Sequence, residues 1–210
     1  MKLIVISASD TLEQETQLIA DFFRAGLPTL HLRKPKYSTN RMKKLLSGIP
    51  AEFHKRIIIH SHHRLARKFD LKGIHLTKKH KRKKIKTWLT IKWIKMKNPG
   101  LVISTSYSRL SSVLDESTIQ YDYIFLSPIF DNKNSKYQAG FTEHSLKNVL
   151  SKTEKKVIAR GGIDTSRIET VKNLGFKGLA VRGDLWTNEN PLQEFTMFLN
   201  KFKELGLQLE

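Results

Sequence analysis

Eight short apolar runs recur along the chain, and they constrain the fold more than any other feature. They are Leu3–Ile6, Thr29–Leu32, Ile57–Ile59, Gly73–Leu76, Leu101–Ser104, Tyr123–Leu126, Val157–Ala159 and Gly178–Val181. Each is rich in Val, Ile or Leu and lacks strict alternation. Parallel strands buried on both faces have that composition. Helical periodicity falls between most of them, over Thr11–Arg24, Arg41–Leu46, Ser145–Leu150, Thr165–Leu174 and Leu192–Phe202. Asp164 precedes the fourth of these as an N-cap, and Gly175 follows it as a left-handed stop. No linker, repeat or low-complexity tract divides the chain. A doubly wound open sheet would use the same alternation. Eight strands instead favour one (β/α)8 barrel domain over residues 1–210, an architecture possible from about 200 residues upward.

Composition narrows the function. With no Cys, a disulfide scaffold, a thiolate zinc site and a Cys nucleophile are excluded. No run approaches the roughly 20 apolar residues of a membrane span. The opening MKLIVIS is too short an apolar stretch for a signal peptide. A soluble, cytoplasmic protein with no membrane partner is expected.

The charge is lopsided: 38 Lys and Arg against 19 Asp and Glu give +19. Between Asp70 and Asp115 there is no acid, and the cations concentrate in Lys78–Lys97. A solvated lysine-rich surface is the plain reading. A phosphate-tracking surface for nucleic acid would interleave aromatics with the cations, but Trp88 and Trp93 come only late in the run. Nucleic acid is therefore not an expected partner. A third reading places the charge beside a phosphate pocket.

Barrel chemistry sits at the carboxyl ends of strands. Here those positions hold His31, Arg33 and Lys34, then His60 and Ser61, then His75. Ser106 and Ser108 follow the fifth run. Arg160, Gly161 and Gly162 follow the seventh, and Arg182 and Gly183 the eighth. This rim is cationic and hydroxyl-rich, which suits an anionic ligand. Glycines after the last two strands lie where barrels bind phosphate through bare backbone N–H groups. His31, His60 and His75 end three neighbouring strands. They read as polar plugs of the barrel, as an acid–base set suited to neutral pH, or as metal ligands. His62 and His63 are expected nearer the surface.

Five segments, in order, carry a family resemblance: HLRKP at His31–Pro35, GIHL at Gly73–Leu76, SPIF at Ser127–Phe130 followed by Lys136, ARGGID at Ala159–Asp164, and GLAV at Gly178–Val181. Together they resemble the thiamine phosphate synthase/TenI family over about residues 2–205. The resemblance implies a single barrel, a cytoplasmic homodimer, and phosphorylated ligands: thiazole phosphate, thiamine phosphate and pyrophosphate. Synthases of this family join a pyrimidine pyrophosphate to thiazole phosphate and release pyrophosphate. The TenI branch is similar to the synthases but typically catalyses aromatising tautomerisation of the thiazole phosphate.

The candidate catalytic residues are Arg33, which keeps the arginine of the family motif, and the strand-end set His31, His60 and His75. The strand ends and the family motifs together give Lys34, Ser106, Ser108, Asn132, Lys136, Gly161, Gly162, Arg182 and Gly183 as candidate substrate or phosphate contacts. Against the family pattern, His31 replaces a Gln and Pro35 a Lys. The carboxylates that hold Mg²⁺ in the synthases align with Ser61 and His80, so no family-type metal site is expected, and Mg²⁺ matters only if the chain works as a synthase. The tautomerase's general base aligns with Ser108. A catalytically silent barrel that binds a ligand, or one recruited to nucleic acid by Lys78–Lys97, is the remaining alternative.

Overall fold

The computed structural model describes residues 1–131 and 140–210. Eight strands form one closed parallel barrel, neighbours following sequence order. They are β1 (Lys2–Ile6), β2 (Thr29–Leu32), β3 (Ile57–Ile59), β4 (Gly73–Leu76), β5 (Val102–Tyr107), β6 (Tyr123–Leu126), β7 (Val157–Arg160) and β8 (Gly178–Val181). The barrel, not the open sheet, is the fold. Every residue of β2, β3, β4, β6 and β8 is buried, the reason these strands read as unbroken apolar runs.

The chain divides into two compact units, residues 5–104 and residues 1–4 with 105–210. In the first, α1 (Glu15–Arg24) buries Ile19, Phe22 and Phe23. Ser38 caps α2 (Thr39–Ser47) by accepting from the Arg41 N–H. His31 lies opposite Ile58, and Ile58 opposite Gly73. A Cβ on Gly73 would lie 2.1 Å from the Val102 carbonyl oxygen, so only glycine lets the chain pass there.

Short helices α3 (Arg64–Lys68), α4 (Lys78–Arg82) and α5 (Lys84–Lys95) follow. The basic run is thus two helices, separated at Lys83. Thr87 and Ile94 face inward on α5, while Ile85, Trp88, Leu89 and Trp93 stand exposed on its outer side. Lysine and arginine cover part of that stripe: Lys92 Nζ sits 4.0 Å from the Trp88 ring centre, and Arg67 lies 4.5 Å from that of Trp93.

In the second unit, Ile124 pairs with Val157 and Ile158 with Gly178. Its helices are α6 (Ser111–Leu114), α7 (Glu143–Ser151), α8 (Ile168–Asn173), α9 (Gly183–Thr187) and α10 (Pro191–Glu204). Asp164 accepts from the Ser166 N–H at 3.0 Å, as its capping position predicts, but it starts a 3-10 turn over Thr165–Arg167 that leads into α8. Gly175 has φ +96, the left-handed stop expected of it. On α10, Phe195, Phe198 and Phe202 are buried, each contributing about 1.5–3 kcal/mol by removal from water. Among the described residues no helix is long and apolar enough to cross a membrane.

His63 is not at the surface: it is 8% exposed, with Nε2 bonded to the His75 carbonyl at 3.1 Å. It stands at the N-terminal end of α3, and its bond to the β4 carbonyl holds the ring inside. Burial, reinforced by the His80 ring 4.3 Å away, pushes its pKa down to about 4. An unfolded chain binds that proton near pH 6.5, so stability is complete above 6.5 and falls toward pH 4. Chemical denaturation at pH 7.0 and 4.5 should show a loss of about 2–3 kcal/mol, at 1.36 kcal/mol per pKa unit. The variant His63→Gln should reduce that difference.

Candidate functional site

In the 5–104 unit, the ends of β2, β3 and β4 bring three imidazoles together. His31, His60 and His75 are 0, 6 and 3% exposed. His31 Nδ1 lies 2.9 Å from His60 Nε2, and His75 Nδ1 lies 2.9 Å from Ser104 Oγ on β5. The His60 and His75 rings stack with centres 4.1 Å apart. The strand-end spacing predicted this meeting. The partner it did not predict is Ser104, the last residue of the fifth apolar run. Ring nitrogens turned toward one another and toward a buried hydroxyl form a closed polar cluster.

The neighbouring cations behave differently from each other. Arg33 is half-buried, its N–H donating to Ser7 Oγ at 2.9 Å and its Nη1 to Ser9 Oγ at 3.0 Å. The loop after β1 therefore fixes its direction. Lys34 points into the protein. Its ammonium is 0% exposed, lies 2.6 Å from Glu15 Oε1, and donates to the Asp10 carbonyl. A lysine neutralised inside the protein has no charge left for a substrate phosphate. This is a correction to its expected role, and its cause is Glu15, one helix earlier in the chain.

Ser61 and His80 are the two positions at which the resemblance implies magnesium ligands, and Ser61 offers one hydroxyl. His80 Nδ1 accepts from the Thr77 N–H at 3.2 Å and caps α4. Among the described residues, the only cluster of three metal-capable side chains is His31, His60 and His75. It has no carboxylate. Mg²⁺ demands hard oxygen donors, and these residues do not supply them.

The second unit holds a cavity of about 540 Å³ lined by Ser127, Arg160, Gly161, Gly162, Arg182 and Gly183 among others. Gly161 and Gly162 have φ +96 and +63. A Cβ on Gly162 would fall 2.7 Å from the carbonyl oxygens of Phe130 and Asp131, so the loop is closed to any other residue. Gly183 has nothing within 4 Å of where its Cβ would be, which leaves its backbone open to the cavity. Half-buried Arg182 supplies a cation at the same wall.

Arg167 is a residue the sequence reading missed. Its guanidinium donates to the Gly162 and Asp131 carbonyls, pairs with Asp164 at 3.6 Å and lies 4.9 Å from the Phe130 ring centre. It ties the two loops of the cavity together. The only sequence signal was its place three residues after a capping Asp. Glu194 also lines the cavity, its carboxylate accepting from Asn188 Nδ2 at 3.3 Å. Ser106 lies half-buried within β5, and Ser108 is exposed beyond it. Asn132 and Lys136 lie outside the described residues.

Fold and cavity together define a (β/α)8 barrel with a glycine-walled, arginine-flanked cup after its last two strands. The protein family described as thiamine monophosphate synthase matches residues 2–185. The chain belongs to that family. Its curated relatives include the thiamine-phosphate synthase of Chlamydia abortus, 29% identical over 108 residues, or 51% of this chain and 50% of that one. The Chlamydia caviae enzyme is 30% identical over 94 residues, or 44% of each chain. The match thus spans about half the length of these relatives or less. The crystal structure of thiamine phosphate pyrophosphorylase from Bacteroides thetaiotaomicron is similar throughout. Its TM-score is 0.75 and its identity 30%, covering 99% of this chain and 100% of that one. The Pyrococcus furiosus thiamine phosphate pyrophosphorylase has a TM-score of 0.75 at 18% identity and supports the fold alone.

Proposed function

We propose that this chain binds thiazole phosphate or thiamine phosphate, with the phosphate in the cup of Gly161, Gly162, Arg182 and Gly183. One observation carries this reading: two adjacent loop glycines at positive φ, the second closed to any side chain, share a cavity wall with an arginine. Bare backbone N–H groups and a guanidinium form charge-assisted bonds to a phosphate. Membership in the thiamine monophosphate synthase family supports the ligand class. The reaction we assign is the family's transfer, in which a pyrimidine pyrophosphate and thiazole phosphate give thiamine phosphate and pyrophosphate. Arg33 is the cation we assign to the pyrophosphate side, together with Lys136. Ser106, Ser108 and Asn132 are the proposed hydrogen-bonding contacts. As the resemblance implies, we take the working unit to be a cytoplasmic homodimer.

We assign Mg²⁺ no part, because a Ser61 hydroxyl and a His80 imidazole engaged in capping α4 do not supply the hard oxygen donors it needs. Binding and turnover are therefore separate expectations. A thermal-shift experiment with thiamine phosphate, thiazole phosphate and pyrophosphate, each with and without Mg²⁺, tests the first. At a hundredfold excess over Kd a ligand stabilises by about 2.7 kcal/mol, or roughly 5–10 °C for a chain of this length. The phosphorylated thiazole or thiamine phosphate should produce that rise without Mg²⁺. No rise with either would overturn the assignment.

A further inference from the structure

We propose that His31, His60 and His75 form a binding site for a late first-row divalent metal ion, of which Zn²⁺ is the type. The proposal is independent of the phosphate cup. Each histidine offers a ring nitrogen, and the three nitrogens lie within 4.8 Å of one another in a buried position. Two of them, His31 Nδ1 and His60 Nε2, already face each other at 2.9 Å. In a tetrahedral zinc site with Zn–N near 2.0–2.1 Å, two nitrogens stand about 3.3 Å apart. Inserting the ion opens that pair by a few tenths of an ångström. The proton shared between the rings moves to the other nitrogen of its own ring, so three neutral imidazoles bind with no net proton release. With Nδ1 on Ser104, His75 binds through Nε2.

The donor set selects the ion. Three imidazoles without a carboxylate suit Zn²⁺, Co²⁺, Ni²⁺ or Cu²⁺ and are poor ligands for Mg²⁺ or Ca²⁺. Ser104 fixes the orientation of a ligating ring from behind, as outer partners in metal sites do. Three protein ligands leave a fourth position for water or a ligand atom. The positions form a triangle because parallel strands in register bring successive strand ends side by side. His31 sits opposite Ile58, two residues before His60, and Ile59 sits opposite Ile74, one before His75.

The test uses the untagged full chain, stripped with a chelator. Calorimetry with Zn²⁺ should give one site per chain, and Co²⁺ should give the visible absorption of a tetrahedral nitrogen-coordinated ion. His60→Gln should weaken Zn²⁺ binding by at least a hundredfold. Ser104→Ala should weaken it by about tenfold or more while the fold survives. Mg²⁺ should not compete. Absence of Co²⁺ ligand-field bands from the wild type would overturn the proposal, whether or not the variants fold. So would Zn²⁺ binding that survives His60→Gln unchanged, since the ion would then sit on surface groups.

Discussion

Replacing Lys34 with Met should lower the stability of the chain by about 3–5 kcal/mol, a larger effect than any surface lysine would give. The substitution leaves the Glu15 carboxylate, 3% exposed, without its cation. Burial already raises the Glu15 pKa, and the Lys34 ammonium is the main influence holding it down. Removing one partner of a buried ion pair strands the other charge, and losses of about 3–5 kcal/mol are typical. For a chain of this length that is a fall in Tm of roughly 6–20 °C. The double variant Glu15→Gln with Lys34→Met should recover most of the loss, because no charge is then left unpaired. Ligand affinity in the double variant should match the wild type. A stable single variant that has lost phosphate binding would return Lys34 to the substrate site.

Arg182→Glu should weaken binding of thiazole phosphate by at least about 100-fold. A hydrogen bond to a charged group contributes about 1.5–3 kcal/mol, and the new carboxylate adds repulsion in a cavity that already holds Glu194. Arg182 is only half-buried, so Tm without ligand should move by no more than a few degrees. Affinity measured by calorimetry and Tm measured on the same sample separate the two effects. Unchanged affinity would remove the cup from the account.

The strands were legible because burial on both faces leaves a local mark: runs such as Ile57–Ile59 and Tyr123–Leu126 are apolar at every position. Capping was legible for the same reason, since Asp164 acts on a backbone N–H two residues away. Helices α3, α6 and α9 were missed because four or five residues are too few to show a period. The outer stripe of α5 obscured its inner face, since apolar residues lie on both sides. The site divides along the same line. Strand-end positions of His31, His60, His75 and the cup glycines follow from spacing. The engagement of Lys34 by Glu15, of His75 by Ser104 and of the Gly162 loop by Arg167 depends on which segments the barrel brings together. Lys34 and Glu15 are 19 positions apart in the sequence, with nothing local to pair them.

A phosphate group is what we propose this barrel recognises. Titration calorimetry with thiazole phosphate and with the same thiazole carrying a free hydroxyl tests it most directly. The account predicts saturable binding of the phosphorylated compound, and affinity for the alcohol weaker by at least about 100-fold, the equivalent of two charge-assisted hydrogen bonds. Equal affinity for the two compounds, or binding of neither, would contradict it.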